Sequence, residues 1–260
     1  MKKIAVGQMR TKISDIRYNL SVMEQLVREA ADLHADAIVL PELCVTGYRA
    51  DGEFSELSEP LDGDIVRKLT AISKNNSGIY IYTAIPERDM SGGKPFNSAV
   101  LVGADGLVGS YRKIHLWGAE TQYFAAGKET RMIDTPFGRA GLMVCFDVSF
   151  PELARKHALA GADILLYTFA FANPAREYAF DLLTRTRALE NGCYLAAANL
   201  IGVEKGTEFF GSSRIVDPAG NVLANAGKDE GVVCADVDFD VLEAIRKKYP
   251  YLERRMPDTY

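Results

Sequence analysis

The segment AGLMVCFDVSFPELAR, residues 140–155, decides how the rest of the chain is read. A compact apolar run over residues 140–146 carries Cys145 near its end, which predicts a strand. Ser149, Pro151 and Glu152 follow as helix start signals. Ser149 is expected to cap the first turn, Glu152 to reach back to that cap, and Pro151 to take a first-turn place where its missing N–H costs nothing. The Cys145 thiol is thus placed at a strand-to-helix turn, pointing out of the carboxyl edge of a sheet. Open α/β sheets hold ligands at that edge, and backbone N–H groups around such a turn can receive a developing oxyanion. The geometry suits a nucleophile.

Outward from this segment the alternation continues. Residues 162–168 and 193–198 read as strands, and residues 151–160 and 176–191 as helices. Upstream, residues 3–9, 35–40, 79–85, 98–102 and 107–111 read as strands and residues 18–34 and 64–75 as helices. Downstream, strands are expected over 212–216, 221–224 and 232–237, followed by a short helix. The halves share an order of elements without sequence identity. That pattern predicts an α/β fold, a four-layer αββα sandwich of two mixed sheets packed face to face with helices outside. Glu42, Lys113 and Cys145 fall at three different strand ends, and crossover helices make those strands parallel in part, so the three can share one edge.

With 260 residues, 48% hydrophobic and 25% charged, the chain can bury a large core. No Pro/Gly/Ser-rich linker divides it, so a single domain over residues 1–260 is expected, with residues 249–260 as a tail that crosses a subunit interface. The net charge of −5, with no basic stripe, argues against nucleic-acid and membrane partners and for a small substrate. No apolar run reaches membrane-spanning length, and the opening stretch breaks at Gln8 and Arg10, too soon for a signal peptide. Cys44, Cys145, Cys193 and Cys234 form no CxxC pair. A cytoplasmic chain with free thiols is the expectation. Asp236, Asp238 and Asp240 alternate like calcium ligands, but Val241 stands where an EF-hand loop needs glycine, so a strand end is expected there.

A thiol with a pKa of about 8.5 is scarcely ionised at neutral pH, so a nucleophilic Cys145 needs a base or cation beside it. His115 is the best-placed histidine, because His34 and His157 fall on amphipathic helices where packing or solvation explains them. Glu42 and Lys113 offer another solution. The carboxylate takes the thiol proton and later passes it to a leaving amine, while the ammonium stabilises thiolate and oxyanion. Spacing alone leaves both pairings open. Each residue taken singly also has an ordinary reading: a solvated strand-end acid, a hairpin lysine, a small buried hydrophobe. Cys44, Cys193 and Cys234 receive that last reading, with the reactivity of Cys44 left to labelling.

Several spaced motifs together make the chain resemble the nitrilase superfamily of carbon-nitrogen hydrolases. They are VGQM (6–9), IVLPELCVTGY (38–48), YRKIHLWGAETQYFAAG (111–127), VCFDVSFPELAR (144–155), RTRALENGCYLAAAN (185–199) and FFGSSRIVDPAGNVLA (209–224), in order over nearly the whole chain. The resemblance implies the αββα sandwich, assembled as a homodimer or larger homo-oligomer, and no metal or organic cofactor. It implies a triad of Glu42, Lys113 and Cys145, in which the cysteine attacks the carbon of a C–N substrate, ammonia leaves, and water releases an acid from a thioester. It also implies that Glu120 positions substrate or lysine in the pocket, that the Phe146 N–H joins Lys113 as oxyanion donor, and that Tyr48 and Asn173 face the pocket.

In that family tryptophan commonly follows the nucleophile in true nitrilases, and tyrosine or phenylalanine in many amidases and carbamoyl hydrolases. Phe146 therefore leans the reading toward a small linear amide, split to ammonia and a carboxylic acid. If Asp51, Glu53, Glu56 and Glu59 rim the pocket they favour an amine-bearing substrate, which keeps an N-carbamoyl amine hydrolase beside a nitrilase as the alternatives. Two readings of other classes also stand. A noncatalytic association module would lose a triad residue, and all three are present. A Cys-His transferase or protease would need His115 as much as Cys145.

Overall fold

The computed structural model describes residues 1–259. In β1 (Lys2–Gln8), Ile4 and Val6 enter one core while Ala5 between them enters another. A strand buried on both faces is the consequence of a sheet covered on both sides. α1 (Ile16–Asp32) follows, capped by Asp15, whose side chain accepts from the Tyr18 N–H at 3.0 Å. Then come β2 (Ala37–Val39), the short α2 (Phe54–Leu57), α3 (Asp64–Asn75), β3 (Tyr80–Glu87) and the hairpin of β4 (Phe96–Gly103) and β5 (Gly106–Arg112).

The second half holds the short α4 (Glu120–Tyr123), β6 (Arg131–Thr135), β7 (Gly138–Val144), α5 (Pro151–Leu159), β8 (Ile164–Phe169), α6 (Glu177–Leu189) and β9 (Tyr194–Asn199). A separate hairpin, β10 (Ile201–Glu204) with β11 (Thr207–Phe210), precedes β12 (Arg214–Val216), β13 (Val222–Asn225), β14 (Gly231–Val237) and α7 (Phe239–Lys248).

Two six-stranded mixed sheets result, ordered β14-β1-β2-β3-β4-β5 and β13-β12-β9-β8-β7-β6. Their inner faces share one core, where Val6, Val39, Tyr82 and Leu101 meet Leu142, Leu166 and Ala196. Leu20, Met23 and Val27 of α1 and Leu69 and Ile72 of α3 cover the outer face of the first sheet through Ile38, Ile81 and Val100. α5 and α6 cover the second. α5 sits close because β7 carries Gly141: a Cβ there would lie 2.8 Å from Cγ of His157. The four-layer αββα sandwich is the one expected from the alternation of elements.

The halves are not independent. β14 runs back across the chain to pair antiparallel with β1, from Lys2 opposite Val237 to Gln8 opposite Gly231, so the last strand completes the first sheet. The start of α5 also corrects the sequence reading. β7 ends at Val144, residues Cys145–Ser149 form a 3-10 turn, and Phe150 is the N-cap residue, with no side-chain cap. Ser149 does not cap and Glu152 does not close a capping box, because Ser149 ends the 3-10 turn and Phe150 holds the N-cap position; Pro151 does take the first helical position. The tail is not wholly detached, since Leu252 packs on the main core while Tyr249, Tyr251 and Met256 are exposed. Tyr260, the last residue of the expected tail, lies outside the described residues.

Candidate active site

Cys145 directly follows β7, Lys113 directly follows β5, and Glu42 stands three residues after β2. β1, β2 and β3 are parallel, and two successive antiparallel pairings return β5 to the same direction. β7, β8 and β9 are likewise parallel. The sheets meet at one end: the Glu42 N–H donates to the Phe169 carbonyl at 3.1 Å, and the Ala170 N–H donates to Glu42 Oε2 at 3.0 Å. The carboxyl edges of both sheets therefore face a common site, and the topology brings the three residues together.

Lys113 Nζ donates to Glu42 Oε1 at 2.7 Å and to Glu120 Oε1 at 2.8 Å, and none of the three side chains is more than 5% exposed. Asn97 Nδ2 donates to Glu42 Oε1 at 2.7 Å. Tyr48 Oη donates to Glu120 Oε1 at 2.8 Å, and the Trp117 N–H donates to Glu120 Oε2 at 2.9 Å. Both carboxylates are thus satisfied on both oxygens, the condition under which buried charge is tolerated. Glu120 is no surface acid; it is held by three donors, the Lys113 ammonium and the Trp117 N–H from its own segment and the Tyr48 hydroxyl.

Cys145 adopts φ +39°, a left-handed conformation that a residue with a Cβ adopts only when its surroundings hold it there. Together with Glu120, Tyr48, Phe146 and Asn173 it lines a cavity of about 400 Å³. Glu42 and Lys113 stand just behind residues that line the cavity, Lys113 bonded to Glu120 and Glu42 to the Ala170 N–H. Phe146 packs its ring edge-on against Trp117 and Phe150, with centroids 4.7 and 5.2 Å apart. Asn173, at φ +69°, spends its side-chain oxygen on the Ala175 N–H at 3.1 Å and stands exposed at the mouth.

Burial pushes the Cys145 thiol far above its ordinary value, the Glu42 charge adds to this, and the Lys113 charge opposes it. The resting thiol is therefore protonated and needs a base. Burial also lifts the Glu42 carboxyl above the usual carboxylate range, against the pull of Lys113. For Lys113 burial alone would expel the proton, but the charges of Glu120 and Glu42 outweigh it and the net direction is upward. A protonated thiol, a carboxylate of raised basicity and a permanent ammonium together can perform base-assisted nucleophilic attack with stabilisation of an oxyanion.

His115 is oriented away from that set: its Nδ1 lies 2.7 Å from Asp147 Oδ1, and its ring stacks on Phe150 at 3.6 Å. Cys44 is fully buried outside the cavity, 3.4 Å from Thr83 Oγ1, with burial pushing its thiol up to about 12. The acidic stretch, which would favour an amine-bearing substrate if it rimmed the pocket, does not rim it. Of its members only Asp51 lines the cavity, and Arg49 and Lys205 neutralise it at 3.0 and 3.4 Å. Glu53 instead accepts from Ser14 Oγ, and Glu59 from the Ile65 N–H at the start of α3.

Sequence reasoning missed Arg176, Trp117, Asn97 and Ala170. Arg176 lines the cavity with its guanidinium 5.2 Å from the Phe171 ring centre and 5.6 Å from that of Trp117, and no carboxylate of the described residues pairs with it. Its position at the expected start of a helix gave no sign that it would turn inward. Trp117 lay inside a quoted motif and was readable there. Among the described residues no group of three or more His, Cys, Asp or Glu side chains is arranged to hold a metal ion, and no helix is long and apolar enough to cross a membrane.

A family model described as carbon-nitrogen hydrolase matches residues 3–247. A probable nitrilase of Schizosaccharomyces pombe is 35% identical over 99% of this chain and 96% of its own. An omega-amidase of Danio rerio is 34% identical over 100% of this chain and 97% of its own. Among solved structures, a mutant amidase from Nesterenkonia sp. AN1, showing covalent addition of the acetamide moiety of fluoroacetamide at its active-site cysteine, superposes with a TM-score of 0.87. It is 28% identical, with 99% of this chain and 95% of that chain covered.

Proposed function

The chain belongs to the carbon-nitrogen hydrolase family of the nitrilase superfamily, and on that premise we propose that it hydrolyses small linear amides through a thioester on Cys145. Glu42 takes the thiol proton as sulfur attacks the carbonyl carbon, and Lys113 with the Phe146 N–H receives the developing oxyanion. The C–N bond breaks as Glu42 returns the proton to nitrogen, and ammonia leaves. Water, deprotonated by Glu42, then attacks the thioester; the C–S bond breaks, the thiol is restored and a carboxylic acid departs. Glu120 holds Lys113 and, with Tyr48, Phe146 and Asn173, shapes the site around the substrate. The observation that carries this reading is the buried Glu42-Lys113-Glu120 array beside a buried cysteine held at positive φ.

Charge in the cavity favours one class of amide. Asp51 is neutralised by Arg49 and Lys205, Glu120 by Lys113, and Arg176, beside two aromatic rings, has no carboxylate partner among the described residues. An amide carrying a carboxylate at its far end satisfies that guanidinium. The omega-amidase likeness supports the same choice. An amine-bearing substrate would meet a like charge there, so the N-carbamoyl amine reading loses its support. We also propose that residues 1–260 act as a single hydrolase domain in a homodimer or larger homo-oligomer, with the tail 249–260 at the interface, and that the enzyme works in the cytoplasm, where its four cysteines stay unpaired.

The test is ammonia release over a panel of monoamides of dicarboxylic acids, neutral aliphatic amides, N-carbamoyl amines and nitriles, with intact-mass detection of an acyl adduct. The expected order places the carboxylate-bearing amides first in kcat/KM. Turnover of nitriles alone would overturn the amide reading, and equal turnover of neutral and carboxylate-bearing amides would overturn the substrate class.

A further inference from the structure

Asp147 takes no part in the chemistry above, yet it is fully buried two residues beyond Cys145 and bonds to two separate stretches of chain. On the side of the cysteine turn, Oδ2 accepts from the Val144 N–H at 2.9 Å. From the other side the same oxygen accepts from Tyr111 Oη at 2.8 Å, while Oδ1 accepts from the His115 backbone N–H at 3.2 Å and from its ring Nδ1 at 2.7 Å. Tyr111 Oη in turn accepts from the Ile114 N–H at 3.2 Å. Residues 111, 114 and 115 flank Lys113 on both sides, so one carboxylate ties the backbone that bears the ammonium to the turn that bears the thiol.

A fully buried carboxylate is costly unless several donors converge on it, and here the four donors come from the two segments whose relative placement matters. The Val144 N–H lies immediately before the left-handed Cys145, so its bond to Asp147 also anchors the strained residue. The His115 ring is clamped against Phe150, the residue that opens α5, at an interplanar angle of 10°. Tyr111 stays a donor, because burial and then the Asp147 charge raise its phenol far above its ordinary value.

We propose that Asp147 is a positioning residue that sets Lys113 against Cys145, joining the ammonium-bearing segment to the nucleophile turn through one buried carboxylate. This rests on the reading of Cys145 as nucleophile and Lys113 as oxyanion donor. Misplacement of such a pair by about 1 Å is worth roughly 100-fold in rate.

Asp147→Asn keeps the side-chain size but offers one acceptor oxygen where the carboxylate offers two, so a donor on one of the segments loses its partner. The expected result is a kcat lower by about 100-fold, a KM within about threefold of wild type, and slower alkylation of Cys145 by iodoacetamide, followed by peptide mass. These are read at a temperature where circular dichroism shows the variant folded. Tyr111→Phe removes one bond to the same carboxylate and is expected to lower kcat about tenfold. The double variant is expected to be no worse than Asp147→Asn alone, as for residues acting as a unit. Wild-type kcat and alkylation rate in folded Asp147→Asn would overturn the proposal; where that variant does not fold, the same result in Tyr111→Phe overturns it. A wild-type enzyme that releases no ammonia from any amide, or whose Cys145 resists alkylation, would instead sink the triad reading itself.

Discussion

Lys113 Nζ stands 2.7 Å from Glu42 Oε1, and both side chains are sealed from solvent. Each therefore answers for the other: removing one charge leaves the second buried and less compensated. Glu42→Gln keeps the shape and removes the base. Ammonia release is expected to fall by at least about 1,000-fold, in line with general-base loss compounded by a disturbed oxyanion donor, while the thermal melt still shows a folded protein. Turnover within tenfold of wild type would remove Glu42 from the chemistry.

The same burial sets a pH limb. The reactive form needs ionised Glu42, and its carboxyl is held above the usual carboxylate range by desolvation. In wild type kcat/KM is expected to rise with pH through a limb that lies above about 4.3, the ordinary glutamate value. Full activity maintained down to pH 4 would contradict this.

Arg176 lines the cavity beside Phe171 and Trp117 and pairs with no carboxylate among the described residues. Arg176→Gln is expected to lower kcat/KM for carboxylate-bearing amides by about 10- to 100-fold, the loss of one charge-assisted bond, and for neutral amides far less. Kinetics on one amide of each kind decide it; equal losses on both would mean that Arg176 only supports the wall.

His115 spends its ring nitrogen on Asp147 and not on the thiol. His115→Asn places an amide N–H near the position of Nδ1, and is expected to cost no more than about tenfold in kcat. A loss as complete as that of Cys145→Ala in the same assay would restore the Cys-His pairing that spacing alone had left open.

His157 is 2% exposed, and burial lowers its pKa to about 4. The unfolded chain, with histidine near 6.5, then binds more protons than the folded one between those values, so stability is full above about pH 6.5 and is lost as pH falls toward 4. The contribution is on the order of 3 kcal/mol. Urea unfolding across that window is expected to show the slope, and His157→Gln to flatten it; an unchanged slope would assign the acid loss to other groups.

Much of this was legible in the chain. The αββα layering followed from alternating strand and helix patterns, and the convergence of Glu42, Lys113 and Cys145 from the parallel crossovers. The hairpin β10-β11 was passed over because its strands are four residues each, although Lys205-Gly206 between them marks a turn, both residues having positive φ. The 3-10 turn at Cys145 was hidden behind apparent helix start signals, of which Pro151 alone operates, six residues later. The pairing of Asp51 with Lys205 and the exposure of Arg176 to the cavity beside Trp117 depend on residues far apart in sequence. No local pattern carries that information.

The most direct measurement is steady-state ammonia release by Cys145→Ala beside wild type, on whichever amide wild type turns over fastest. The expectation is no release above background from a variant that melts as wild type does. Wild-type turnover by Cys145→Ala would contradict thioester catalysis at this residue.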